Sequence, residues 1–273
     1  MDFSSDSLVI WKTAAVALWF LLFFAGERLA PAAPWPVTAR PADTARPAGG
    51  LRRLGRNLAL WLVNAGLSPL IVVPLSFWAS EAALDWRPEA WSGWPGLLVD
   101  LVLLDFLIYW WHMANHRVPL LWRFHEIHHL DQFLDTTSAI RFHFGEVLLS
   151  ALARAAVIYL LGFPFSSILA FEALLLMATL FHHSNLRLPA GLEAALSLLI
   201  ITPSIHWVHH HARQSDTDSN YGTVFSFWDR LFASRSPTPR APGMEIGVQD
   251  RPERPLAHLV VRPFLSAEMR EAP

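Results

Sequence analysis

Five histidines lie in the stretch HMANHRVPLLWRFHEIHH, from His112 to His129. His112 and His116 are four apart, and His125, His128 and His129 follow at offsets of three and four. Residues so spaced share a helix face, one turn above another. The HxxHH spacing returns at His206, His209 and His210, with His182 and His183 between the two triplets. A lone buried imidazole is an ordinary core residue with both nitrogens satisfied. Nine clustered near helix ends (His112, His116, His125, His128, His129, His183, His206, His209 and His210) would charge and repel on mild acidification unless something held them neutral. A metal does that, and nine nitrogens suit two metals with four or five ligands each.

Imidazole serves zinc, copper, iron and nickel alike, so ligand type leaves the metal open. The chain contains no cysteine, which excludes disulfides, thiolate ligands and iron–sulfur clusters. A net charge of −2 without a basic run gives no reason to expect nucleic acid. With 53% hydrophobic residues and a mean hydropathy of +0.32, the 273 residues read as one integral membrane unit. Two metals at a membrane interface beside apolar space point to oxidative chemistry on a lipid.

The elements that must position these histidines are apolar helices, so the expected fold is all-α, an integral membrane bundle of four or five spans. A first span is expected over 8–26, with Lys12 snorkelling at one end. An Arg-rich connector follows, carrying Arg28, Arg40, Arg46, Arg52, Arg53 and Arg56; the positive-inside rule makes it cytoplasmic. A second span over 58–79 is interrupted by Pro69 and Pro74, and Trp86, Trp91 and Trp94 then mark the outer interface. The third, over 96–114, returns His112 and His116 to the cytoplasmic side. Two short apolar segments, 147–161 and 165–181, cross out and back or form a re-entrant pair, and 191–203 reads as an interfacial helix. Residues 1–95 thus supply the first spans and connector, 96–233 the metal-binding core, and 234–273 a loosely ordered tail in which PLAHLVVRPF could dock and His258 is incidental.

Asp105 and Tyr109 share a helical stripe with His112 and His116. An Asp inside a span is costly unless paired or functional, so Asp105 is expected to accept a hydrogen bond from a ligand imidazole, the alternative being a plain helix-to-helix bond. Asn185, Asp218, Asn220 and Asp229 could orient imidazoles or cap helices.

Taken together, HxxxH, HxxHH, Arg141-x-His143-x-x-Glu146, the His183-Ser-Asn185 element, the second HxxHH, Asn220-Tyr-Gly222 and WDRLF at 228–232 resemble the fatty acid hydroxylase/sterol desaturase superfamily. The resemblance covers about 105–232, in the family's order. It implies a non-haem di-iron centre, dioxygen as co-substrate, and hydroxylation or desaturation of a lipid or sterol-like substrate. It carries the ligand role onto the nine histidines above. His143 belongs to the pattern beside the ligands, as do Asn185 and Asn220, while His182 and His211 only flank matched positions. Met113 departs from the Arg found in many members. No dinucleotide fingerprint is present, so electrons are expected from a separate cytochrome b5 or ferredoxin. The expected location is the inner or cell membrane, with the site facing the cytoplasm.

The main rival lies in the same stretch. His125, Glu126 and His129 match HExxH, in which two histidines bind one zinc and the Glu activates water, as in a membrane-embedded zinc metalloprotease. That reading leaves the other histidines unexplained. A non-catalytic metal carrier would need a polar path through spans that carry few ionisable groups.

Overall fold

The computed structural model describes residues 5–35 and 50–271, with the side chains of 5–12 and 271 excepted. The Lys12 side chain, Arg40 and Arg46 therefore lie outside what is described. Helix α1 (Ser5–Leu29) contains the first expected span. Helix α2 (Leu51–Leu67) continues through a π-helical turn at Ser68–Val72 into α3 (Val73–Glu81). The turn follows from Pro69, which has no N–H to donate; the Val73 N–H reaches back five residues to the Ser68 carbonyl. Helix α4 (Gly93–Arg117) descends to the histidines, and α5 (Pro119–His129) turns back after Val118, with Pro119 at its first position.

Helices α6 (Phe144–Leu161) and α7 (Phe165–His183) are joined by a three-residue turn, α6 packing on α3 and α7 on α1 and α4. Gly162 between them has φ 68°, and a Cβ there would lie 3.0 Å from the Leu84 carbonyl oxygen, so the turn requires glycine twice over. At about 1.5 Å per residue each helix has the length and apolar character of a span, in keeping with the expectation that the two cross out and back. Among the described residues, Leu51–Glu81, Gly93–Arg117, Phe144–Leu161 and Phe165–His183 are long and apolar enough to span a membrane. Leu62, Leu70, Phe77, Leu98 and Leu152 project outward, exposed on these helices, as lipid-facing residues do. The protein is an integral membrane protein.

The remainder is short and sits at the histidine end: α8 (Ala190–Leu196), α9 (Pro203–His209), α10 (Gln214–Thr217), α11 (Phe227–Leu231), α12 (Leu256–Val261) and α13 (Ala267–Glu271). The helix expected over 191–203 is thus broken, α8 giving way to an irregular stretch before Pro203. At the opposite end, the Trp86 indole donates to the Leu160 carbonyl and Ser80 Oγ to the Phe163 carbonyl. Ala79, Leu104, Ile158 and Phe171 form the core between α3, α4, α6 and α7.

Two sequence expectations need correction. Arg53 and Arg56 belong to α2, and Arg53 is 4% exposed, its guanidinium fork held by Asp131 at 2.6 and 2.8 Å and by Asp135 at 2.6 and 3.0 Å. Part of the arginine excess is therefore used in folding. The tail is not loose: Leu259 is fully buried with Leu60, Ile127 and Leu130, and buried Glu253 bridges Arg56 and Arg141. Its polar, proline-rich sequence hid the fact that its charges have buried partners.

Burial alone would push the Asp131 carboxyl up, but the Arg53 and Arg141 guanidiniums hold it down to about 2. Its contribution to stability is therefore complete above about pH 4 and lost as the pH falls toward 2. Arg53→Ala would leave two carboxylates buried without their cation. We expect a loss of roughly 3–5 kcal/mol, read as a lowered unfolding midpoint in detergent, with Arg53→Lys recovering part of it. An unchanged midpoint for Arg53→Ala would show that the fold does not rely on this clamp.

Candidate metal centre

The nine histidines converge in two groups. His112, His116, His125, His129 and His209 each offer a ring nitrogen, these nitrogens all within 4.8 Å of one another; His128, His183, His206 and His210 do the same. Nitrogen ligands about 2.1 Å from one ion lie at most about 4.2 Å apart, so the spread of each group is close to that of a metal shell. The groups adjoin, the His129 and His210 rings stacking at 4.2 Å.

The partition follows from helix geometry. In each HxxHH the first and last histidines, four apart, lie on nearly one azimuth, and the middle one points aside. Accordingly α5 gives His125 and His129 to the first group and His128 to the second. Past the end of α9 the pattern is mirrored: His206 and His210 enter the second group and His209 the first. His112 and His116 at the end of α4 complete one group, and His183 at the end of α7 completes the other.

Outward hydrogen bonds settle the tautomers. His112 Nδ1 faces the Tyr221 carbonyl at 2.9 Å, His128 Nδ1 the Arg141 carbonyl at 3.0 Å, His183 Nδ1 the Thr179 carbonyl at 2.8 Å and His209 Nδ1 the Ser219 carbonyl at 2.7 Å. His125 Nδ1 faces Glu146 Oε1 at 2.7 Å. All five partners only accept, so each Nδ1 carries the proton and each Nε2 turns a lone pair inward. His128 Nε2 and His183 Nε2 then meet at 3.0 Å, lone pair to lone pair. Neutral imidazoles cannot hydrogen-bond that way; a shared cation resolves the contact. In the first group, the buried Nε2 atoms of His125 and His209 and both ring nitrogens of His116 and His129 have no hydrogen-bond partner. Burial, and then the neighbouring imidazoles, hold His128, His129, His206, His209 and His210 well below the usual histidine range, leaving their lone pairs free. The donor set fits two metal ions.

The residues expected to support the ligands do so at one remove. Asp105 touches no imidazole: it accepts from the backbone N–H of Val224 and Phe225, both at 3.1 Å, and from the Trp228 indole at 2.8 Å. Desolvation inside α4 is offset by binding a loop, and that loop carries the Tyr221 carbonyl facing His112. Asp229 closes the same loop from the other side, accepting from the Tyr221 and Gly222 N–H groups. Tyr109 bonds Ser234 Oγ at 2.8 Å. Asn220 ties the Ile205 carbonyl to the Ser236 N–H, and Asn185 pairs with both backbone groups of Ala33. His143 caps α6 through the Gly145 N–H and faces the Val260 carbonyl, and His211 pairs with Asp216. His182 is buried against the His206 ring but belongs to neither group. Asp218 Oδ1 lies 3.7 Å from His116 Nδ1. The orienting acceptors are mostly backbone carbonyls, which sequence cannot single out. Glu146 could have been found as the carboxylate of the RxHxxE element.

The HExxH rival fails on geometry. Glu126 is fully buried and points away from the histidines into Arg251 and Arg262, with Arg262 Nε at 3.0 Å. A carboxylate held by two guanidiniums is not available to activate water, and five imidazoles, not two, surround the position between His125 and His129.

Two substitutions separate these roles. Glu146→Gln keeps an acceptor for His125 but removes its charge, so metal affinity in chelator competition should weaken about 10- to 100-fold with little change in folding. Unaltered affinity would remove Glu146 from the support of the centre. Glu126→Gln should keep full metal content and lower the unfolding midpoint; metal loss without destabilisation would contradict the clamp.

Comparison with known proteins matches residues 97–234 to the family described as fatty acid hydroxylase. The chain is 29% identical over 189 residues to ornithine lipid hydroxylase OlsE of Rhizobium tropici, covering 68% of this chain and 56% of that protein. It is 27% identical over 194 residues to alkylglycerol monooxygenase of Danio rerio (71% and 40%), and 25% identical over 177 residues to cholesterol 25-hydroxylase of Rattus norvegicus (59% and 54%). The chain thus spans about half the length of these relatives. No solved structure matches it. The matched region contains all nine converging histidines and the loop that Asp105 and Asp229 hold, and the chain belongs to the fatty acid hydroxylase family.

Proposed function

We propose that this protein is a membrane di-iron oxygenase that hydroxylates a C–H bond of a lipid or sterol-like substrate. The observation that carries the reading is the division of nine buried imidazoles into a group of five and a group of four. Two neighbouring ions in an all-nitrogen setting suit redox chemistry with dioxygen better than hydrolysis of the HExxH type, which uses one ion and a free carboxylate base. Bound iron would supply the oxidation of an unactivated C–H bond by dioxygen. Hydroxylation is favoured over desaturation because the relatives are named as hydroxylases and a monooxygenase.

The chain's own part is placement and exclusion. His112, His116, His125, His129 and His209 would hold one ion, and His128, His183, His206 and His210 the other. The Tyr221, Arg141, Thr179 and Ser219 carbonyls and Glu146 fix the rings so that the donors need not reorganise on binding. Ile127 and Trp207, 0% and 1% exposed behind the ligands, keep water from the helices that carry them. Electrons come from a separate donor of the cytochrome b5 or ferredoxin type. Arg-rich segments beside the histidine end support a cytoplasmic orientation in a cell membrane.

The test compares lipid extracts from cells with and without the protein by mass spectrometry, followed by a reconstituted assay with iron, dioxygen and a reduced donor. A lipid gaining one oxygen only in the presence of the chain is expected, and His128→Ala and His209→Ala should each abolish that gain together with part of the iron. Full activity and iron content in both variants would overturn the site, and peptide cleavage without oxygen uptake would overturn the reaction class.

A further inference from the structure

Most deeply placed guanidiniums in this protein hold a carboxylate: Arg53 has Asp131 and Asp135, Arg87 has Asp100, Arg141 has Glu253 and Arg262 has Glu126. Arg240 is different. Its head lies 4.0 Å over the Trp207 ring, and its polar contacts are two long ones, 3.4 Å to the Leu186 carbonyl and 3.5 Å to Asn185 Oδ1. Among the described residues no carboxylate comes within ion-pair distance of it. A largely desolvated guanidinium so weakly bonded is costly, and an anion with paired oxygens is the natural complement to its fork. Burial, partly offset by Glu193 and deepened by Arg187, holds it down to about 10.

Space for such an anion is present. Arg240 lines a cleft of about 390 Å³ with Arg187, Leu186, Leu188, Ala194 and Glu193, and an adjoining one of about 160 Å³ that Arg235 also reaches. Glu193 is the one carboxylate among the residues lining either cavity, against three arginines. The cleft opens just after α7 ends at His183, so it stands at the level where that span leaves the apolar layer. Its neighbourhood is greasy: Leu192, Leu198 and Leu199 are 47%, 67% and 57% exposed. A cationic slot lined by Leu186 and Leu188, with exposed leucines next along the chain to its lining residues Glu193 and Ser197, is the arrangement of an interfacial lipid site. Ile205 and Val208 of α9 line the smaller cavity while His206 and His209 of the same helix enter the metal groups, so one helix separates cleft from centre.

We propose that this cleft binds the anionic head group, a phosphate or carboxylate, of a membrane lipid, with Arg240 as the paired contact and Arg187 at the mouth. The site stands whether or not that lipid is the one oxidised, and it goes beyond the assigned reaction.

The full-length metal-loaded protein in detergent would be titrated with phosphatidylglycerol and with phosphatidylcholine, bound lipid being counted by native mass spectrometry. Preferential retention of phosphatidylglycerol is expected, weakened roughly tenfold or more in Arg240→Gln and less in Arg187→Gln, with Arg240→Lys intermediate. Inorganic phosphate at matched concentration should not displace the lipid. Equal retention of the two lipids, or wild-type retention by both Gln variants, would overturn the proposal; displacement by phosphate would make this a free-anion site and overturn the lipid assignment. Should Arg240→Gln lose its metal, the exposed Arg187→Gln variant decides: weakened retention supports the site and undiminished retention overturns it.

Discussion

Everything at one end of this bundle depends on the convergence of neutral imidazole lone pairs in a space without water. Where Nε2 of His128 faces Nε2 of His183 at 3.0 Å, with both Nδ1 protons committed to backbone carbonyls, no proton is left to join them. Such a contact is repulsive unless a cation sits between the donors. The surrounding structure is therefore arranged to hold donors for an ion, and each neighbouring element can be understood by what it fixes. Helices α4, α5, α7 and α9 end at the site, and their last turns bring the histidines together.

Apolar packing cannot align these ends alone, since lipid competes with side chains for the same faces. Buried ion pairs and carboxylate-bound loops supply the registration. Arg53 links α2 to the segment after α5, Glu253 links the tail to α2 and to Arg141, and Glu126 anchors the stretch following α12. Arg141 itself connects these clamps to the centre, its carbonyl facing His128. Asp105 and Asp229 grip one loop from two helices, and Tyr221 of that loop orients His112.

How much of this the sequence displays varies with the physics involved. The spans are legible because apolar length is additive along the chain, and the histidine sets because helical periodicity is local. The π-helical turn at Pro69 is likewise written in the residue. Asp105 shows a different limit. Its burial in a span correctly marks it as partnered, yet its partners are two backbone N–H groups and an indole about 120 residues away, so the imidazole expectation fails. Asn185, Asn220 and Tyr109 behave the same way, joining segments that only the fold brings together. The tail looked loose because its order rests on Leu259, Glu253 and Arg262 meeting partners far along the chain, and no local pattern signals that.

The most direct measurement is the metal content per chain of protein purified from iron-fed cells, with Mössbauer spectra recorded on labelled iron. About two irons per chain with a magnetically coupled signal is the expected result for a group of five and a group of four nitrogen donors in contact. A single ion per chain, or isolated uncoupled iron that persists after full iron loading, would contradict the account.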